Sequence, residues 1–196
     1  MKFSENMVTT SASFEPTATK PRREPSRAEL EWLVLIILAA CALRLVWVLT
    51  VHSGLGGYND PQWYFGTAKN LASGNGMTIR VVPSQGYLPG PGGIQAIFWP
   101  QGYPLTLAAV FKVFGAGLTA GKLRNVFAST LVVPLVFLLA RRTFGGAVAL
   151  VAAALFAVYP ANIFWTSVLF SDVVFTAPFA VATVLLVYGG ARPTRA

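Results

Sequence analysis

The chain has 196 residues, of which 55% are hydrophobic and only 11% charged, and its formal net charge is +8. This composition excludes an ordinary soluble domain and indicates a polytopic membrane protein. One cysteine excludes an internal disulfide, and a single histidine leaves little for a zinc site. The cations are spread along the chain instead of forming one basic face, so no nucleic-acid partner is expected.

The first thirty residues differ from the rest of the chain. They are polar, rich in Ser, Thr, Pro and Glu, and show no hydrophobic periodicity. We therefore predict a disordered tail over residues 1–30, followed by a membrane module over residues 31–190.

Four segments of this module are apolar enough to cross a membrane, and each is near the ~20 residues that a bilayer core requires. They are residues 31–51, 123–140, 146–165 and 173–190. Their internal prolines are expected to be tolerated, because neighbouring helices can satisfy the freed backbone groups. A fifth apolar stretch, residues 103–118, is shorter and carries Lys112, so it either spans the membrane or lies along the interface.

The distribution of positive charge favours the interfacial alternative. With four spans, the N-terminal tail, Arg141, Arg142 and a C-terminal tail over 191–196 all face the cytoplasm. Residues 52–122 then form a long outer loop. The predicted fold is thus all-α and polytopic, with about four transmembrane helices, a short amphipathic surface helix and an interfacial or re-entrant helix, in a bacterial plasma (inner) membrane.

The surface helix is predicted just after the first span. Asn59 or Asp60 followed by Pro61 is a helix-start signal, and Gly74 provides a stop. Between them, aromatic and aliphatic residues recur at helical spacing, which is typical of a helix lying on a membrane surface. The following "GYLPGPGG" predicts turns without a regular element, and its glycines match no nucleotide-binding fingerprint.

Carboxylates are scarce beyond Glu31, where only Asp60 and Asp172 remain. Each stands at a predicted helix start, so each has a structural alternative as an N-cap, with Asn59 and Ser171 as competing caps. A carboxylate near helix amides is also held ionised, as a general base must be. Because both fall on the predicted outer face, we take Asp60 and Asp172 as candidate catalytic residues.

Several cations lie in the predicted outer loop, although membrane proteins usually keep Lys and Arg on the cytoplasmic side. The candidate phosphate-binding residues are Lys69, Arg80, Lys122 and Arg124. Their functional interpretation is an anion site with a lipid-linked phosphate as ligand, and the structural alternative is ordinary headgroup contact. Arg44 interrupts the first span and must either snorkel outward or find a polar partner.

The order of these elements resembles a known family. An apolar helix with a late arginine ("ALRLVWVL") precedes an acid-bearing loop ("YNDPQWYFGTAKNLASGNGM") and a proline-bearing aromatic stretch ("FWPQGYPLTLAAVFKVFG"). "ARRTFG", "AVYP" and "FSD" follow in order. Over about residues 31–190 this resembles the N-terminal portion of the GT-C integral-membrane glycosyltransferases, the group of protein O-mannosyltransferases and aminoarabinose transferases.

The resemblance implies a polyprenyl-phosphate-linked sugar donor and a lipid, glycan or protein acceptor on the outer face. Asp60 matches the family's catalytic first-loop acid, Asp172 matches the acid at the start of the fourth helix, and loop cations would hold the donor phosphate. No cofactor is implied, although a divalent metal is left open. Pro61 departs from the family, whose members often carry a second acid there.

Family members are also longer, so the chain is expected to be an N-terminal portion or half of a split enzyme, with a partner chain supplying further helices. Whether it is active alone is left open. A second hypothesis is a non-enzymatic membrane subunit or scaffold, since the small residues of 146–157 suit close packing against a partner.

Overall fold

A computed structural model describes residues 24–51, 54–55, 59–83 and 85–189. Most of the predicted tail over 1–30 and the C-terminal residues 190–196 lie outside the described residues. In chain order the elements are α1 Arg27–Thr50, α2 Asn59–Ala72, β1 Thr78–Val82, β2 Gly86–Leu88, β3 Ile94–Gln95, α3 Gly102–Phe114, α4 Leu118–Phe144, α5 Gly146–Val158, α6 Pro160–Trp165 and α7 Ser171–Gly189. The chain is therefore mostly helical, as predicted.

Three helices of the described chain, α1, α4 and α7, are long and apolar enough to cross a membrane. They correspond to three of the four predicted spans, and Pro134 and Pro178 lie inside α4 and α7 without ending them. The chain is thus an integral membrane protein by the length and composition of these helices.

The fourth predicted span, residues 146–165, is not one helix. It is divided at Tyr159 into α5, of 13 residues, and α6, of 6 residues. Pro160 has no N–H to donate back to the preceding turn, and it disfavours the helical conformation for Tyr159, which is extended at φ −64° and ψ 117°. The prediction that Pro160 would be tolerated inside a continuous helix was wrong.

Helix α1 begins four residues earlier than the predicted start at Glu31. The Ser26 hydroxyl accepts a hydrogen bond from the Glu29 N–H, and the Glu29 carboxylate accepts one from the Ser26 N–H. This capping box satisfies two backbone donors that a helix start otherwise leaves unpaired. Residues 27–30 are therefore helical, which corrects that part of the predicted disordered tail.

The loop predicted over residues 52–122 contains a sheet as well as helices. Its strand order is β2-β1-β3, with antiparallel pairs such as Val81↔Tyr87 and Ile79↔Ile94. The "TIRVV" sequence of β1 is rich in β-branched residues, and Gly86 takes the positive φ (81°) that begins the return strand. The expectation of turns without a regular element after α2 was wrong for Gly86–Leu88. Because α4 begins at Leu118, the loop also ends earlier than predicted.

The start of α1, the end of α4 and the end of α7 are joined at one end of the bundle. Arg141 near the end of α4 forms an ion pair of 3.2 Å with Glu29 in the first turn of α1, and Tyr188 in α7 donates to the Leu138 carbonyl. We call this the Glu29 end of the bundle. The opposite end, where α1 ends and α4 and α7 begin, carries α2, α3 and the sheet, and we call it the α2 end.

Small residues let α5 pack closely inside the bundle. Ala149, Ala153 and Ala157 recur at a spacing of four and are fully or almost fully buried, in one cluster with Leu33 of α1 and Phe137 of α4. Such a stripe permits close approach of neighbouring helices. The small residues that suggested a partner protein are therefore used within the chain.

Arg44 joins three helices at the centre of the bundle, and its side chain is 0% exposed. Its Nε donates to the Ser129 hydroxyl of α4 at 2.9 Å, and its Nη1 donates to the carbonyls of Ala40 (3.0 Å) and Ala157 (2.9 Å). Its Nη2 donates to the Phe156 carbonyl at 3.4 Å. Arg44 therefore does not snorkel outward. It binds the Ala157 carbonyl, for which the break before Pro160 leaves no backbone donor, and it adds a second donor to the Phe156 carbonyl, which already accepts from the Tyr159 N–H.

Replacing Arg44 with methionine is expected to destabilise the protein strongly. The change removes the donor to the buried Ala157 carbonyl, and a buried group that finds no new partner costs about 1–3 kcal/mol. Thermal unfolding in detergent micelles, followed by circular dichroism, measures the loss. The matched control is Arg27→Gln, because Arg27 makes only an exposed ion pair with Glu31 and such pairs contribute about 0–1 kcal/mol. Equal melting temperatures for the two variants would contradict the role assigned to Arg44.

Candidate active site

The two aspartates lie at the α2 end of the bundle, each in the first turn of a helix. Asp60 is in the first turn of α2 and Asp172 is in the first turn of α7. Because α2 begins at Asn59 and α7 at Ser171, both carboxylates lie just inside their helices and not at the predicted cap position.

Tyr64 connects the two aspartates. It lies one turn after Asp60 on α2, is almost fully buried, and donates a hydrogen bond of 3.2 Å to the Ser171 hydroxyl beside Asp172. Burial raises the pKa of the Tyr64 phenol, the bond to Ser171 opposes this, and the charges of Asp60 and Asp172 raise the pKa further. Two carboxylates from separate helices therefore act on one phenol.

A second tyrosine links this group to α4. The rings of Tyr64 and Tyr103 are 4.7 Å apart between centroids, and the Tyr103 hydroxyl donates to Asn125 Oδ1 at 3.3 Å. Asn125 in turn donates to the Val168 carbonyl at 2.8 Å. Burial raises the pKa of Tyr103 to about 12, although the nearby Arg124 guanidinium acts to lower it. The segment before α7 is thus held against α4 and α3.

Arg124 is the predicted cation that the structure brings into this group. Its guanidinium carbon lies 4.4 Å from the centroid of the Tyr103 ring, and its Nη2 donates to the Thr106 hydroxyl. Its Nη1 is buried and has no hydrogen-bond partner among the described residues. A guanidinium with an unused donor suits a planar oxyanion such as phosphate.

The other predicted cations are placed differently. Lys122 lies two residues before Arg124 in α4 and is buried, not in a solvated loop as predicted. Lys69 and Arg80 are exposed, on the last turn of α2 and on β1. They flank a separate contact in which Asn70 accepts from the Gly90 N–H at 2.6 Å and donates to the Thr78 carbonyl at 2.8 Å. Of these predicted cations, Arg124 is the one placed against the Tyr103 ring.

Sequence reasoning missed three residues of this site: Tyr64, Tyr103 and Asn125. Tyr64 was placed on the apolar face of the surface helix, although its spacing of four residues from Asp60 already puts the two on one side of a helix. Asn125 is a polar residue one position after Arg124, in a helix that continues as a membrane span. No pattern in the sequence identifies Tyr103, since its role depends on where α3 packs.

No group of three or more His, Cys, Asp and Glu side chains that could hold a metal ion occurs among the described residues. In this part of the chain, the α2 end carries two carboxylates, those of Asp60 and Asp172. Their chemistry as a pair is to accept protons and to stabilise positive charge.

Comparison with known proteins agrees with the predicted resemblance. Residues 100–195 match the family model of dolichyl-phosphate-mannose-protein mannosyltransferase. This region runs from the segment before α3 to beyond α7 and includes Tyr103, Arg124 and Asp172, whereas Asp60 and Tyr64 precede it. No curated protein and no solved structure matches the chain. The resemblance to the GT-C-type membrane glycosyltransferases is thus confirmed, through residues 100–195, which carry the signature of the dolichyl-phosphate-mannose-protein mannosyltransferase family.

Proposed function

We propose that the chain transfers a sugar from a polyprenyl-phosphate donor to a hydroxyl group of a lipid, glycan or protein acceptor at the α2 end of the bundle. The single observation that carries the proposal is the hydrogen bond of 3.2 Å from Tyr64 of α2 to Ser171 of α7, which joins the two helices that carry Asp60 and Asp172 in their first turns. In a chain with seven acidic residues, this is the end of the bundle that gathers both of the acids beyond Glu31.

Asp60 is proposed as the general base. Its carboxylate takes the proton of the acceptor hydroxyl while the acceptor oxygen forms a bond to the anomeric carbon. The bond between that carbon and the phosphate oxygen breaks in the same step, and the electron pair leaves with the polyprenyl phosphate. Asp172, next to the Ser171 that Tyr64 binds, stabilises the positive charge that develops on the sugar ring.

Arg124 is proposed to bind the departing phosphate. Its buried Nη1 has no hydrogen-bond partner in the described chain, and its position against Tyr103 holds the guanidinium, which can pair with an oxyanion once the atoms that cover Nη1 move aside. Lys122 adds a second positive charge on the same helix. Lys69 and Arg80, being exposed and further along α2 and the sheet, are proposed to attract the donor headgroup before it reaches Arg124.

The proposed orientation places the α2 end outside the cell and the Glu29 end in the cytoplasm. Arg141 and Arg142 lie at the Glu29 end together with Arg27, which agrees with the bias of cytoplasmic margins toward arginine and lysine. Both termini are then proposed to be cytoplasmic, and the proposed location is the plasma membrane. The non-enzymatic alternative gains no support, because the small residues on which it rested pack inside the bundle.

Asp60→Asn is expected to lower sugar transfer by about 10²–10⁴-fold, because the amide cannot accept the acceptor's proton. Transfer is measured in membranes containing the chain, with dolichyl-phosphate mannose and other polyprenyl-phosphate sugars as donors. Glu31→Gln is the control, since it makes the same change in an exposed acid at the Glu29 end. Full transfer by Asp60→Asn, or no transfer by the folded wild-type chain with any donor, would overturn the proposal.

Tyr64→Phe is expected to reduce kcat by roughly tenfold while donor binding is kept, because about 1.4 kcal/mol of positioning corresponds to a factor of ten. The variant removes the hydroxyl that donates to Ser171, next to Asp172 in the first turn of α7. Tyr188→Phe is matched to it, since it removes one hydroxyl that donates to the Leu138 carbonyl at the other end of the bundle. Equal kcat values for the two variants would refute a positioning role for Tyr64.

Arg124→Gln is expected to raise the KM for the donor and to lower kcat, together by about 10²-fold, the size typical for loss of one donor to a developing oxyanion. Arg142→Gln makes the same change at the opposite end of the same helix and serves as control. Kinetics at varied donor concentration distinguish the two. If Arg124→Gln behaves like Arg142→Gln, the donor phosphate is held elsewhere.

A further inference from the structure

Helix α3 is apolar on two faces, and the chain covers only one of them. Tyr103, Leu107 and Phe111 are buried against α2 and the sheet. Leu105, Val113 and Phe114 are exposed, Phe114 to 77%. In water, a helix with apolar residues all round is normally buried, so a second environment must cover the exposed face.

A pair of apolar side chains in the preceding segment extends this exposed surface. Ile97 is 71% exposed and Phe98 is 78% exposed, directly before the first turn of α3. Aromatic contacts hold this segment against α2. The Phe98 ring packs against the Trp99 ring (4.5 Å between centroids), and the Trp99 ring packs against that of Trp63 in α2 (5.0 Å). Ile97 and Phe98 are therefore exposed apolar side chains on a segment that packed aromatic rings hold in place.

The same surface is continuous with that of a membrane-spanning helix. Thr106 of α3 contacts Arg124 of α4, so the two helices lie side by side at the α2 end. Within one to three residues of Arg124, Leu123 and Phe127 are also exposed on α4. Since α4 is a candidate span, its exposed apolar residues face lipid, and the exposed face of α3 adjoins them.

Length and charge indicate how α3 meets the bilayer. Its 13 residues extend about 20 Å, too short for a core of about 30 Å, so it cannot cross the membrane. Lys112 is exposed beside Val113, where its long side chain can reach lipid phosphates while its methylene groups lie along the apolar surface.

We infer that Ile97, Phe98 and the exposed apolar side chains of α3 (Leu105 and Val113 along the helix, with Phe114 at its end) form a lipid-docking surface that inserts into the headgroup–acyl boundary of the bilayer. The occupant of this surface is membrane lipid, and not a partner protein or a second copy of the chain. The inference does not depend on the proposed sugar transfer. It goes beyond that function by fixing the depth of the α2 end, which sets Arg124 at the level where the phosphate of a membrane-anchored lipid lies.

The test uses an environment-sensitive fluorophore on single cysteines. In a Cys41→Ser background, Phe98→Cys and Val113→Cys are each labelled with a nitrobenzoxadiazole dye in the full chain. The chains are reconstituted in vesicles of phosphatidylcholine and phosphatidylglycerol. The control is Asn75→Cys, in the exposed turn that follows α2 on the same end of the bundle. Emission is recorded with and without nitroxide-labelled lipid, and with iodide in the water.

At positions 98 and 113, emission is expected to be blue-shifted, quenched by nitroxide lipid and protected from iodide, whereas position 75 shows the reverse. Water-like emission quenched by iodide at both test positions would overturn the inference. A blue shift without lipid quenching would overturn it too, because it would show that protein covers the surface. Circular dichroism verifies folding of each labelled chain, and Ile97→Cys replaces Phe98→Cys if that variant fails to fold.

Discussion

The buried guanidinium of Arg44 is the interaction on which the arrangement of the helices depends. A cation inside a membrane bundle is costly unless its donors are satisfied. Here the cost is offset by the Ala157 carbonyl, for which the break before Pro160 leaves no backbone donor, and by further acceptors on α1, α4 and α5. The buried guanidinium needs acceptors, and the break in the helix leaves a carbonyl that needs a donor, so each supplies the partner of the other. The Ser129 hydroxyl accepts from the same guanidinium and so joins α4 to this contact.

The break at Tyr159 also determines where the candidate site forms. The break separates α5 from the short helix α6. Helix α6 is joined to α1 by a hydrogen bond of 3.3 Å from Trp47 Nε1 to the Phe164 carbonyl. The following residues are buried, and Asn125 holds the Val168 carbonyl. Helix α7 therefore begins beside Tyr64, and Asp172 reaches the neighbourhood of Asp60. The break after α5 thus helps to bring the two aspartates to the α2 end of the bundle.

The sequence predicted the positions of those helices whose pattern lies within a single element. Apolar length identified α1, α4 and α7, and the proline and glycine signals around residues 59–74 identified α2, because these patterns act within a single element. The prediction failed at Pro160, where the same residue type that α4 tolerates ends α5. It also missed the small sheet, since strands of two to five residues carry little periodicity of their own.

By itself, the sequence determined the class of the protein and the short list of its ionisable residues. Composition requires a membrane, and a chain so poor in acids makes Asp60 and Asp172 the carboxylates to consider at that end. Only the tertiary structure decided which of these groups meet. Contacts such as Tyr64 with Ser171, or Tyr103 with Arg124, join residues far apart in the chain, and they depend on how the helices pack. Spacing within a helix predicts its faces, but the partner of each face is set by the rest of the fold.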